Sequence, residues 1–375
     1  MKNSFKIPRI FLKIFLGLII LVVVGVIVFV GLQISGKRRL YEKTGDKRPD
    51  LASVAINWQE DEEAVESGEQ KTNQSIPVVV EEDNSNWEEG DVRYKGVHYR
   101  YNREMLTFLF LGVDKQGTVK EAKNGIDGGQ SDTIFLLALN PKAKTASLIS
   151  INRDTIADVD IYDKAGNFLY TAKTMITLQH GYGDGKELSC ERSVKAVSKL
   201  FYDLPIHGYC AINYGAVTKI NDAVGGIDIV ALEDVYSGKK LVFEEGKNYH
   251  LKGDNTLVYL RSRDCGSFES AGRRTERQKQ YIVAYAAKAL QAIKKDVTVL
   301  VSLYNTISKY MVTDITVDEV SYFSTQAGNY RFGDANIYSL EGETIVNDEG
   351  FEEFHANEKA LFELLLNVFY DTIDD

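Results

Sequence analysis

Five arginines fall within the twenty residues YLRSRDCGSFESAGRRTERQ (259–278) of a chain whose formal net charge is -10. Arg261 and Arg263 are two apart, and Arg274 and Arg277 are three apart. A spacing of two shares a face on a strand, and a spacing of three shares a face on a helix. A strand over 257–263 and a helix over 274–294 would therefore set two guanidinium pairs across one loop. That arrangement suits a strong anion, phosphate or pyrophosphate above all, because each planar fork donates two parallel N–H groups. Spacing alone leaves open an alternative, a solvated basic surface with scattered ion pairs.

Three further residues stand where strands should end. Asp114 closes LFLGVD, Asp132 opens SDTIFLL, and Arg153 follows SLISIN and precedes Asp154 and Thr155. Strand ends and their loops are where α/β proteins place ligands. Two carboxylates at neighbouring strand ends offer the hard oxygens that Mg²⁺ prefers, although an aspartate there equally fits turn capping. Other chemistries are poorly served. The chain has five histidines and contains no HExxH, CxxC, GxSxG or Walker pattern. His180, in LQHGYGDG, fits either a general base or a structural histidine. GIDGGQ precedes a strand, which is the wrong context for a dinucleotide loop. The basic cluster is local and forms no stripe, so no nucleic-acid partner is expected. Cys190, Cys210 and Cys265 show no metal-ligand spacing, and their pairing stays open. Arginines with carboxylate-bound Mg²⁺ (or Mn²⁺) are the parts that phosphoryl chemistry needs.

The elements that would position these residues can be read from apolar runs. The 375 residues are 44% hydrophobic and 26% charged, enough for a substantial core. Residues 14–32, IFLGLIILVVVGVIVFVGL, carry no charge and are long enough to span a bilayer. A transmembrane helix over 14–34 is expected, after a cytoplasmic tail over 1–13, with the rest of the chain outside the cell. Residues 35–91 read as an extended acidic stalk, with IPVVV at 76–80 as a short strand within it. Twelve acidic residues and one lysine lie between Glu60 and Asp91. Order resumes with a hairpin around Lys95-Gly96. Strands follow over 105–114, 131–140 and 145–152, the last two joined antiparallel at Asn140-Pro141. A helix is expected over 186–203, then a strand within LPIHGYCAINY, a helix stopped by Gly225-Gly226, and a strand over IDIVAL. Residues 296–375 read as helix–loop–helix. Alternating strands and helices point to an α/β fold, a mixed central β-sheet in an α/β/α sandwich, over 92–375.

Five segments, in order, carry a resemblance: LFLGVD (109–114), SDTIFLLALNPKAKTASLISINRDT (131–155), AVGGIDI (223–229), LKGDNTLVYLRSR (251–263) and GRRTERQ (272–278). Together, after one apolar span, they resemble the LytR-CpsA-Psr family of Gram-positive cell-envelope proteins over about 105–295. The resemblance implies a membrane-anchored, extracytoplasmic phosphotransferase. Such enzymes move a glycopolymer, teichoic acid or capsule, from an undecaprenyl-pyrophosphate carrier to peptidoglycan, with the lipid in a hydrophobic groove. Matched by motif, Asp114 and Asp132 would hold Mg²⁺. Arg153, Arg261, Arg263 and Arg274 would act on the pyrophosphate, with Arg277 and Gln278 binding beside them. The base would be Asp154 or Glu269. Two positions depart from the family pattern. Gln130 stands where arginine is usual, and Ala271 where aspartate is usual, with Glu269 as a substitute in the same loop. These departures keep two other readings in play, a non-catalytic regulator or scaffold and a polyprenyl-pyrophosphate hydrolase.

Overall fold

The computed structural model describes residues 29–51, 86–263, 267–296, 298–326, 330–331 and 336–373. Two units are distinguished, Met1–Gly45 with Ile315–Tyr330, and Asp46–Asp314 with Arg331–Asp375. Among the described residues no helix is long and apolar enough to cross a membrane. Residues 14–28 of the expected span lie outside the described residues, as do the acidic run over 60–83 and IPVVV at 76–80.

In the first unit, helix α1 covers 29–44. Residues 35–44, assigned from composition to an extended stalk, are therefore helical. The physical reason is local. Lys37, Arg38, Leu40, Glu42 and Lys43 are good helix formers, and Arg38 pairs with Glu42 one turn on at 2.6 Å. Ser35 donates to Asp318 at 2.8 Å and Lys43 pairs with the buried Glu319 at 3.0 Å, tying α1 to the helix Val317–Gln326.

The second unit begins with the hairpin β1 (Val92–Tyr94) and β2 (Val97–Tyr101). Lys95 and Gly96 join them at φ 50° and 78°, the paired positive values of a two-residue turn that follows the strand twist. Three apolar strands follow, β3 (Leu106–Val113), β4 (Ser131–Asn140) and β5 (Thr145–Ile151), paired antiparallel in sequence order. A hairpin that the sequence did not announce, β6 (Ile156–Tyr162) and β7 (Phe168–Met175), projects beyond β5. Helices α2 (Leu178–Gly181) and α3 (Glu187–Leu200) lead to β8 (Gly208–Asn213), which lies parallel to β3. Helix α4 (Val217–Ala223) stops before Gly225 and Gly226, whose φ values are 87° and 82°. Next come β9 (Ile227–Val230), β10 (Val235–Ser237), β11 (Lys240–Phe243) and β12 (Asn248–Leu251). Helices α5 (Asp254–Arg261), α6 (Ser270–Lys295) and α7 (Thr298–Ile307) follow. The chain then passes through β13 (Met311–Thr313) and α8 (Val317–Gln326) to β14 (Ile337–Ser339), β15 (Gly342–Val346) and β16 (Glu352–Ala356). It closes with α9 (Glu358–Phe369), capped by the Asn357 side chain, and β17 (Tyr370–Ile373).

The central sheet runs β13-β8-β3-β4-β5-β14, with β3–β8 and β5–β14 parallel and its other pairs antiparallel. The mixed α/β fold is thus as expected. Residues 296–375 are not purely helical, because β13 and β14 supply the sheet's two outer strands. Strands of three residues are too short to show a period of two, so the apolar helical pattern around them dominated the sequence. The core follows from alternation. Leu109 and Leu111 of β3, Leu136 of β4 and Ile149 of β5 share one sheet face and cluster with Val197 and Phe201 of α3 and Phe362 and Leu365 of α9. A second cluster joins Ile227 and Ile229 of β9, Tyr259 and Leu260 of α5, and Tyr281 of α6.

Phe362 is fully buried in the first cluster, whereas Phe168 on β7 is 56% exposed. Phe362→Ala should cost about 3–5 kcal/mol by denaturant unfolding, and Phe168→Ala no more than about 0.5 kcal/mol.

Candidate functional site

Strand pairing brings three of the expected residues to one end of the sheet. Val113 pairs with Ser131 and Ile134 with Ile151, so Asp114, Asp132 and Arg153 lie at the same ends of three neighbouring strands. The Arg153 guanidinium is held on three sides. Its Nε donates to Asp154 at 3.0 Å, one Nη to Asp132, and the other Nη to the Gln130 side-chain carbonyl at 2.9 Å. Arg274 reaches the same carboxylate from α6, with an Nη 3.6 Å from Asp132 Oδ2.

Arg274 is 5% exposed, and its Nε and Nη2 are buried without a hydrogen-bond partner among the described residues. Burial pulls its pKa down to about 10; Asp132 opposes that fall, and Arg153 and Arg263 add to it. The group therefore stays charged at neutral pH. A buried cation with unpaired donors costs stability, and an acceptor from outside the protein, a water or an anion, would offset that cost.

Arg261 and Arg263 do not share a strand face. Residues 254–261 form helix α5, and the backbone turns extended at Ser262. The buried Thr256, Tyr259 and Leu260 recur at helical spacing, the signal that the alternating wording of YLRSR concealed. Arg261, the last residue of α5, pairs with Asp114 at 2.6 Å and lies 3.7 Å over the Tyr214 ring. Arg263 is exposed two residues further on and acts on Arg274 through its charge.

Arg277 and Gln278, expected beside the pyrophosphate, are engaged here with the protein itself. Arg277 is 1% exposed, donates to the carbonyls of Tyr259 and Ser262, and sits 2.9 Å from Glu233. Burial lowers its pKa, with Glu233 opposing. Gln278 donates to the Leu260 carbonyl at 3.2 Å. Together they satisfy carbonyls at the end of α5, which a helix leaves open. Arg273 is likewise engaged, with Glu233 at 3.1 Å and the Phe268 carbonyl at 2.8 Å.

Of the two candidate bases, Asp154 belongs to the Arg153 cluster, while Glu269 stands at the start of α6 with its backbone N–H on Glu352 at 2.8 Å. Ala271 is buried. His180 is also buried, 1% exposed, and donates through Nδ1 to the Gly129 carbonyl at 2.9 Å, so it holds that loop and is shut off from solvent; burial lowers its pKa. Cys190 and Cys210 are free buried thiols, and burial pushes Cys210 up to about 12; Cys265 lies outside the described residues. Sequence reasoning missed Tyr214 and Glu233, which touch the arginines from distant segments and carry no motif.

No group of three or more His, Cys, Asp or Glu suited to a metal occurs among the described residues. Asp114 and Asp132 nevertheless supply hard oxygens at adjacent strand ends. Mg²⁺ takes one or two protein carboxylates and completes its shell with water and phosphate oxygens, so these two carboxylates could hold it with a phosphate only by sharing oxygens that here face Arg153, Arg261 and Arg274.

The two buried arginines should respond oppositely to loss of charge. Arg274→Met leaves Asp132 paired with Arg153 and removes an under-satisfied cation, so unfolding free energy should stay level or rise by about 1 kcal/mol. Arg277→Met leaves two carbonyls without a donor and Glu233 with Arg273 alone, and should cost roughly 2–4 kcal/mol in the same denaturation measurement.

Residues 59–367 match the profile of the LytR_cpsA_psr family. Curated relatives include the polyisoprenyl-teichoic acid–peptidoglycan teichoic acid transferases TagU of Halalkalibacterium halodurans and Bacillus cereus. The first is 27% identical over 239 residues, covering 64% of this chain and 69% of the relative. The second is 31% identical over 217 residues, covering 58% and 62%. Among solved structures, a Streptococcus agalactiae protein superposes with TM-score 0.56 at 22% identity, over 71% of this chain and 86% of that one. TagV of B. subtilis gives 0.55 at 22% identity, over 71% and 96%. These two likenesses concern the fold. With its profile matched from the acidic segment to the last helix, the chain belongs to the LytR-CpsA-Psr family.

Proposed function

We propose that the chain is a membrane-anchored, extracytoplasmic phosphotransferase that attaches a glycopolymer to peptidoglycan from an undecaprenyl-pyrophosphate carrier. The glycopolymer is teichoic acid, capsule or a similar polymer. The observation that carries this reading is the buried Arg274, with two unpaired donor groups, beside the Arg153–Asp132 pair. The names of the TagU relatives supply the substrate class, a polyisoprenyl-linked teichoic acid and peptidoglycan. The apolar run over 14–32 supports the anchor, and partners are the lipid-linked polymer, peptidoglycan and membrane lipid, with no nucleic acid.

In this reaction a hydroxyl of a wall sugar attacks the phosphorus that carries the glycan. A new P–O bond forms, the bond to the bridging oxygen of the diphosphate breaks, and the polyprenyl phosphate leaves. Arg153, Arg261, Arg263 and Arg274 take up charge on the phosphoryl oxygens and the leaving group, with Arg153 and Arg274 as the donors already held in place. Mg²⁺ (or Mn²⁺) on Asp114 and Asp132 would neutralise further phosphate oxygens. The hydroxyl proton passes to a carboxylate, Asp154 inside the cluster or Glu269 at the start of α6. Ala271, buried and apolar where the resemblance implies aspartate, favours the second reading, a regulator or scaffold that binds lipid-linked precursor without turnover.

The detergent-solubilised full chain, given a polyprenyl-pyrophosphate-linked oligosaccharide, Mg²⁺ and peptidoglycan fragments, should yield glycan joined to peptidoglycan by a phosphodiester. Arg263→Ala should abolish that product while melting like the parent. Donor binding without turnover, across several donors, would establish the scaffold reading instead, and release of free phosphorylated glycan would establish hydrolysis.

A further inference from the structure

We propose that Gln130 is a positioning residue, which aims the Arg153 fork at the diphosphate. The inference rests on the reading above in one respect, that the ligand is a diphosphate.

Gln130 uses two carbonyls to join two parts of the site. Its backbone oxygen accepts from the Asp114 N–H at 2.9 Å, and its side-chain oxygen accepts from Arg153 Nη2 at 2.9 Å. One residue thereby sets the distance between the end of β3 and the arginine beyond β5. Its own place is tightly held. On one side, the Gly129 carbonyl accepts from Nδ1 of the buried His180 at 2.9 Å, and Gly129 takes a φ of 89° that favours glycine. The preceding Gly128 has no room for a side chain, since a Cβ there would lie 2.4 Å from the His180 carbonyl. On the other side, Ser131 and Thr177 exchange hydrogen bonds at 3.2 and 3.0 Å, and the Thr177 N–H donates to the Arg153 carbonyl at 3.1 Å. The backbone at Gln130 is therefore fixed, and its side chain, at an exposed position, reaches Arg153 from that fixed point.

The amide suits the task for an electrostatic reason. Arg153 already meets two carboxylates, Asp132 and Asp154. A third anionic partner would cancel more of the cation's pull on a phosphate. An apolar residue would leave Nη2 without an anchor. A neutral acceptor fixes the fork and leaves its charge intact, and the N–H groups not engaged with these three partners remain for the ligand. Gln130 thus works through Arg153.

The test is a double-mutant cycle read by calorimetric titration of inorganic pyrophosphate into the detergent-solubilised full chain. Gln130→Met keeps the shape of the side chain and removes the acceptor. It should weaken pyrophosphate binding by up to about tenfold, the most that one hydrogen bond to a charged group could pass on to the ligand. Arg153→Met should weaken binding by about a hundredfold. The double variant should bind no worse than Arg153→Met alone, because Gln130 has no role once its partner is gone. Gln130→Glu should weaken binding more than Gln130→Met, although it retains an acceptor. The proposal is overturned if Gln130→Met binds like the parent, or if it costs the same factor in both backgrounds. Should Gln130→Met fail to fold, Gln130→Asn, too short to reach Arg153, enters the same cycle with the same expectation. Transfer plays no part in this readout. A chain that shows the coupling yet joins no glycan to peptidoglycan refutes the proposed function and leaves the role of Gln130 standing. A parent with no measurable pyrophosphate affinity overturns both.

Discussion

Arg274 is a buried guanidinium that meets its carboxylate, Asp132, only at 3.6 Å, and the rest of the site is arranged around holding it there. Burying a charge with two donor groups unpaired is unfavourable, and a fold keeps such a group only when the surroundings over-determine it. The surroundings here are specific. Helix α6 is pinned to the end of α5 by Arg277 and Gln278, and to the β9–β10 connection by Glu233, which takes both Arg273 and Arg277. Arg277 and Gln278 are buried in these contacts, while Arg273 and Glu233 are partly exposed. They provide the stability against which Arg274 is retained in an unfavourable state, the trade between stability and function that built sites commonly show.

The four arginines assigned to the ligand differ in how firmly they are placed. Arg153 and Arg274 share Asp132 and are largely buried, so their geometry is set by the sheet end and by α6. Arg261 pairs with Asp114 where both side chains are close to half exposed, 40% and 46%. An exposed pair of that kind contributes little stability and exchanges partners readily. The Tyr214 ring beneath Arg261 keeps the guanidinium plane in position whichever anion it meets. A rigid inner pair and an adaptable outer one suit a ligand that enters as a diphosphate and leaves as two separate phosphates.

The strand-end half of this site was legible in the sequence. LFLGVD, SDTIFLLALN and TASLISIN are apolar runs with clear polar limits, and one Asn-Pro turn fixes the direction of two of them. Once they are strands in one sheet, Asp114, Asp132 and Arg153 must converge. The arginine-rich half was legible in composition and not in geometry. YLRSR alternates like a strand, while burial of Thr256, Tyr259 and Leu260 makes it helical up to Arg261. Arg274 and Arg277 are the same residue type one turn apart on one helix. Only tertiary packing decides that one meets Asp132 and the other the carbonyls of α5. Gln130 read as a missing cation and proved to be an acceptor for Arg153, because the relevant partner lies across two strands rather than nearby in sequence.

The central claim is that the unpaired donors of Arg274 bind a diphosphate. Titrating pyrophosphate into the parent and into Arg274→Met, at matched ionic strength, tests it most directly. The account predicts a loss of affinity of about a hundredfold or more, equivalent to roughly 3 kcal/mol, with folding intact. Undiminished affinity in Arg274→Met would contradict it and would place the anion site elsewhere on the molecule.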